Sequence, residues 1–118
     1  MTASILFGAA ITHHTAGRLA EAEALYRRIL EIDPNNAGAC NNLGLILAPI
    51  QAEPLFRRAI ELKSDYVDAL TNLGNLYLNR GELGEATECF KTALTFSPDS
   101  SASRSGLERI DEALKSGR

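Results

Sequence analysis

Apolar positions along this chain recur at steps of three and four, the spacing that puts side chains on one face of an α-helix. Three stretches share the pattern: Gly17 to Pro34 reads GRLAEAEALYRRILEIDP, Gln51 to Ser64 reads QAEPLFRRAIELKS, and Gly81 to Pro98 reads GELGEATECFKTALTFSP. In each, a small residue is followed four positions on by an aromatic and three further by an apolar residue. These are Ala22, Tyr26, Ile29; Ala52, Phe56, Ala59; and Ala86, Phe90, Ala93. The small residue lets a neighbouring helix come close, and the aromatic fills the gap beside it. The pattern predicts helices near residues 2–15, 19–32, 36–47, 52–63, 67–79, 83–96 and 101–115. Pro34 and Pro98 should lie just beyond helix ends.

A second motif precedes the first. NNLGLIL at Asn41 to Leu47 matches TNLGNLYL at Thr71 to Leu78. From Leu73 and Gly74 the chain runs through Tyr77, Gly81, Ala86, Phe90 and Ala93 to Pro98. This order resembles the tetratricopeptide repeat, whose period is about 34 residues. The likeness is weaker at the start, where Ala9 and Ala10 take the Leu-Gly places and His13 the aromatic place. The resemblance implies an all-α fold, a right-handed array of helical hairpins. It divides one domain, 1–118, into repeats 3–36, 37–66 and 67–100 and a capping helix 101–115. The cap has Leu107, Ile110 and Leu114 on one face and Arg104, Glu108, Arg109, Asp111, Glu112 and Lys115 on the other, which suits an array that must end in water.

The middle repeat is short. Phe56 to Phe90 is 34 residues, but Tyr26 to Phe56 is 30, so four residues, about one helical turn, are missing. The gap lies between Leu47 and Ala52, where no turn glycine stands and Pro49 and Pro54 appear. Proline is tolerated in a helix's first turn and disruptive inside it. The second helix of this repeat should therefore begin near Pro54, or begin near Pro49 and be distorted at Pro54. This unit should bury less apolar area than its neighbours and open first.

Composition narrows the function. A net charge of −3 and a pI of 5.3 suit phosphate binding poorly, so nucleic acid is not an expected partner. The apolar run from Ile5 to Ile11 is too short to span a bilayer and has no basic residue before it, so no membrane is expected and the cytoplasm is the expected location. Cys40 and Cys89 are far apart and have no nearby ligand partner. Adjacent His13 and His14 point about 100° apart on a helix and cannot share one metal. Early-helix carboxylates such as Glu21, Glu82 and Glu85 suit the helix dipole. No phosphate-loop motif occurs. No catalytic set, metal site or cofactor is expected, and the chain is not read as an enzyme.

What remains is a surface for another protein or peptide. In the family it resembles, the first helix of each pair lines a concave groove. The expected groove residues are Ser4, Phe7, Gly8, Ile11 and His14, then Asn41, Asn42, Leu45 and Ala48, then Asp68, Thr71, Asn72, Asn75, Leu78 and Asn79. The strongest peptide-binding candidates are Asn41, Asn42, Leu45, Thr71, Asn72, Asn75, Leu78 and Asn79. No Lys or Arg is among them, so the family's carboxylate clamp for acidic chaperone tails is absent, and acidic peptides should be disfavoured. Asn42 and Asn72 share one repeat position, which resembles the asparagine ladder in the repeat arms of O-linked N-acetylglucosamine transferases. They are equally readable as two exposed polar residues with no ligand. Several bacterial glycosyltransferases also open with a segment like Gly17 to Pro34, but no such catalytic domain is present here. Two alternatives stand beside peptide binding. One is self-association into a homo-oligomer through Ile5, Leu6 and Phe7 on an apolar first helix; the other is a regulatory arm separated from a glycosyltransferase.

Overall fold

The computed structural model describes residues 2–47 and 49–117. Among them are seven α-helices and no strand: α1 (Ala3–Thr15), α2 (Leu19–Ile32), α3 (Ala37–Ile46), α4 (Pro49–Leu62), α5 (Val67–Asn79), α6 (Leu83–Phe96) and α7 (Ser101–Gly117). Caps fix several starts. Thr2 Oγ1 accepts from the Ile5 N–H at 3.2 Å, Asn36 Oδ1 from the Ala39 N–H at 2.9 Å, and Ser100 Oγ from the Ser103 N–H at 3.2 Å. Gly17 and Gly81 take φ of 81° and 78°, the left-handed conformation that costs glycine nothing, and they reverse the chain after α1 and α5. Pro34 and Pro98 fall just past the ends of α2 and α6, as their inability to continue a helix predicts. The helices form two compact units, one ending at Leu62 and one beginning at Lys63.

The first unit holds α1 to α4. Leu6, Ala10, Ala22, Tyr26, Ile29, Ala39 and Leu43 form a buried cluster. This corrects the self-association face expected on the first helix. Leu6 is 2% exposed and belongs to the core. Phe7 is half-buried, edge-on to Tyr26 at 6.0 Å between ring centroids, and lies against α3, where a Cβ on Gly38 would sit 3.0 Å from its Cζ. Only Ile5 of the three stays exposed. Leu6 and Phe7 are taken up by the packing of the first unit and need no second copy, while Ile5 and Ile11 remain exposed.

The lost turn is visible in the second hairpin. α3 has 10 residues where α1 and α5 have 13, and only two residues join α3 to α4 where three join α1 to α2. Leu47 leaves α3 with extended backbone, φ −79° and ψ 160°. The Phe56 ring still lies on Gly44, where an added Cβ would come 2.7 Å from Cε1. α4 begins seven residues before that ring and α3 ends two residues after that glycine. At about 1.5 Å per residue, the start of α4 stands about 10 Å beyond the ring and the end of α3 only about 3 Å. The first turn of α4 thus overhangs α3. α4 starts at Pro49, earlier than residue 52, because proline at the first helical position loses no intrahelical bond. Pro54 is then inside the helix and cannot bond the Ile50 carbonyl.

The second unit holds α5, α6 and α7. Phe90 is fully buried between two glycines: a Cβ on Gly74 of α5 would come 2.8 Å from its ring, and one on Gly106 of α7 would come 2.4 Å from it. Thr71 Oγ1 and Ser103 Oγ lie 3.0 Å apart, a buried polar tie between α5 and α7.

Two substitutions test this account. Overpacking a full core costs about 1–3 kcal/mol, against a helix gain of about 1 kcal/mol for Gly to Ala. Gly106→Ala is expected to lower the urea midpoint, because its Cβ would meet a ring with nowhere to go. Gly8→Ala, on an exposed helical site with nothing within 4 Å, is expected to raise it. Pro54 is exposed, so Pro54→Ala restores a backbone bond without touching the core and should stabilise the chain by about 1–3 kcal/mol in the same measurement.

Candidate functional site

In the first unit, the candidate residues lie on α3. Asn42 is half-buried and Leu45 is 50% exposed, while Asn41 is 2% exposed and faces the core. Ala48 lies outside the described residues. A chain of hydrogen bonds runs through this place: Asn41 Nδ2 donates to Asn42 Oδ1 at 3.1 Å, Asn42 Nδ2 donates to Tyr26 Oη at 3.3 Å, and Tyr26 Oη meets His14 Nδ1 at 3.1 Å. His14 therefore faces Tyr26, with its ring edge-on at 5.8 Å, and His13 is held by Arg18, whose Nε donates to His13 Nδ1 at 2.8 Å. An amide offers two N–H groups and two oxygen lone pairs. The bonds to Tyr26 and Asn41 use one of each, leaving one donor and one acceptor on a side chain already fixed in place.

Tyr26 is 0% exposed, and burial pushes its hydroxyl pKa up, against a smaller downward pull from the Asn42 bond. The folded state holds this proton longer than the unfolded one, so the associated stability is complete below pH about 10 and is lost as pH rises above it. Cys40 is buried, which raises its thiol pKa despite the opposing charge of Arg58.

In the second unit, the candidates lie on α5. Thr71 is 7% exposed and spends its hydroxyl on Ser103, so it is structural. Asn72, Asn75 and Leu78 are half-buried, and Asn79 and Asp68 are exposed. Asn41 and Thr71 are thus withdrawn from the peptide-binding set, since each points into packed helices. Sequence reasoning missed Arg109. Its Nη1 donates to Asn75 Oδ1 at 3.4 Å, which brings a cation from α7 to a face expected to have none. The signal was there in the period, because Arg109 follows Asn75 by 34 residues. Elsewhere, Arg27 and Arg57 pair one turn back with Glu23 at 2.9 Å and Glu53 at 3.0 Å, in keeping with solvated outer faces. Among the described residues no group of three or more His, Cys, Asp or Glu could hold a metal ion, and no helix is long and apolar enough to cross a membrane.

Family models decide what these hairpins are. Tetratricopeptide-repeat models match residues 3–36 and 67–100. The chain is a tetratricopeptide-repeat protein. No curated protein matches it when the sequences are compared directly. Solved repeat domains share its fold. The first repeat domain of human RPAP3 superposes with a TM-score of 0.90 at 23% identity, covering 98% of this chain and 94% of that one. The first repeat domain of Spaghetti (RPAP3), solved with an HSP90 peptide, gives 0.89 at 23% identity over the same shares. The O-GlcNAc transferase of Thermobaculum terrenum gives 0.86 at 28% identity, and there the match covers 92% of this chain but 22% of the other.

Within this tetratricopeptide-repeat chain only the first repeat has a hydroxyl on the packing aromatic; Phe56 and Phe90 fill that place in the others. Tyr26→Phe keeps the ring and removes the link between His14 and Asn42. Because His14 and Asn42 are half-buried and water can replace the hydroxyl, it is expected to cost about 0.5–1.5 kcal/mol in denaturant unfolding, the net worth of a typical hydrogen bond. The Asn42 side-chain amide signal should shift in the NMR spectrum of the same variant.

Proposed function

We propose that the chain is a protein-interaction module that holds a peptide segment of a partner, the first unit offering the accessible residues of α3 and the second unit those of α5. The observation that carries this is the state of Asn42: its amide is fixed by two internal bonds and keeps one donor and one acceptor, the pair needed to meet one peptide N–H and C=O. A group fixed before binding loses little entropy when the ligand arrives. Asn72 holds the same repeat position on α5, with Asn75 and Asn79 extending the amides and Leu45 and Leu78 offering apolar contact. Repeat domains of this fold solved with HSP90 and HSP70 peptides support a peptide as the partner's form. Pairing through amides reads backbone more than side chains, so a range of sequences is accommodated and affinity is modest, micromolar or weaker. Arg109 removes the expectation that acidic segments are disfavoured. The proposed location is the cytoplasm.

A second reading has its own support. The match to the repeat region of an O-GlcNAc transferase suits a regulatory arm that works with a separate glycosyltransferase. Capture of partners by the tagged chain, followed by mass spectrometry, separates the two readings.

With the recovered partner segment in hand, the double change Asn42→Ala with Asn72→Ala is expected to weaken binding at least tenfold, about 1.4 kcal/mol. The measurement is calorimetric titration of a variant shown by circular dichroism to be folded. Undiminished binding would overturn the amide reading.

A further inference from the structure

The lost turn leaves a cleft in the first unit. It has a volume of about 770 Å³ and is lined by Arg27, Leu30 and Glu31 of α2, Leu43 and Leu47, and Gln51 and Leu55 of α4. Its floor is apolar for two reasons. α3 stops a turn early, and Leu47 stands in the motif place that Tyr77 fills in the third repeat. The overhanging first turn of α4 carries Ile50 next to the lining residue Gln51. Ile50 is 84% exposed, the most exposed large apolar side chain among the described residues. The second residue of the matching helix is Ala20 in the first repeat and Gly84 in the third. The shortened repeat thus has both an unfilled apolar cleft and, beside it, an apolar knob where its sister repeats have almost no side chain.

We infer that the cleft is the seat for a second copy of this chain, with Ile50 of each copy entering the leucine-lined cleft of the other about a two-fold axis. A two-fold contact uses one surface twice, so that surface must complement itself. This one does so in shape, with knob beside cleft, and in charge. Arg27 and Glu31 lie one turn apart on the α2 rim, so antiparallel α2 helices facing across the axis bring each Arg27 to the other copy's Glu31. Arg27 has donors for this, because its bond to Glu23 uses only Nε. A partner of single charge would leave one of the two rim charges facing its like or facing nothing, which is why a second copy fits better. The contact lies on α2, α4 and the cleft-floor leucines Leu43 and Leu47, and does not involve the amides of α3 and α5.

Sedimentation equilibrium of the full chain from 1 µM to about 500 µM tests the inference. The expected result is a reversible dimer, with Ile50→Asp raising the dissociation constant at least tenfold. At its exposure, that change leaves the monomer core untouched. Arg27→Glu and Glu31→Arg should each weaken the dimer, and the two together should restore it to within about threefold, because the swap recreates both cross-axis pairs. A chain monomeric throughout the range would overturn the proposal. So would a dimer indifferent to Ile50→Asp, or one that the double swap fails to restore.

Discussion

An aromatic ring seated where no Cβ can stand is the contact on which the rest of this structure depends. Phe90 occupies space that Gly74 and Gly106 leave vacant, and Phe56 does the same over Gly44. Each seat fixes how closely two helices approach and at which residue they meet. The small residues Ala22, Ala52 and Ala86, all at most 3% exposed, sit one turn before the rings and admit the same close approach. Much of the fold follows from that spacing: seven helices, glycine turns with positive φ, and prolines just outside helix ends.

These seats were legible in the sequence because they obey a period. Small residue, aromatic and apolar residue recur in order, and the Leu-Gly pair marks where the ring lands. The lost turn was legible too, as a break in that period. Its structural result was not. Whether α4 began at Pro49 or Pro54 turned on a balance between one missing backbone bond and the packing of a whole helix, which local propensity cannot weigh.

The binding face was read less well, for a physical reason. A helical position tells which way a side chain points, not how much neighbouring helices cover it. Asn41 and Thr71 share a repeat position as Asn42 and Asn72 do, yet one residue step, about 100° of rotation, turns them into the core. Leu6 and Phe7 were expected to be covered by a second copy because the first helix looked apolar on most faces, whereas α2 and α3 take up both. Arg109 was overlooked because α7 was taken only as a lid. Its Gly106 receives the Phe90 ring as a repeat's first helix would, and its next turn continues the α5 pattern.

The seating of Phe56 on Gly44 has a consequence for how such a chain varies in length. Helices locked at the ring change length most readily on the far side of it, at the hairpin tip, where little beyond Ile46 and Leu47 still touches the core. A trim there leaves the seat intact and shows up as an overhang; the same trim between ring and core would turn the helix and pull the aromatic off its glycine. The ring therefore divides each hairpin into a part whose residue number the seat constrains and a part, at the tip, that can lose a turn as the middle hairpin has. New surface features, such as an isoleucine standing proud of its neighbours, can arise in the open part without any cost to the frame below.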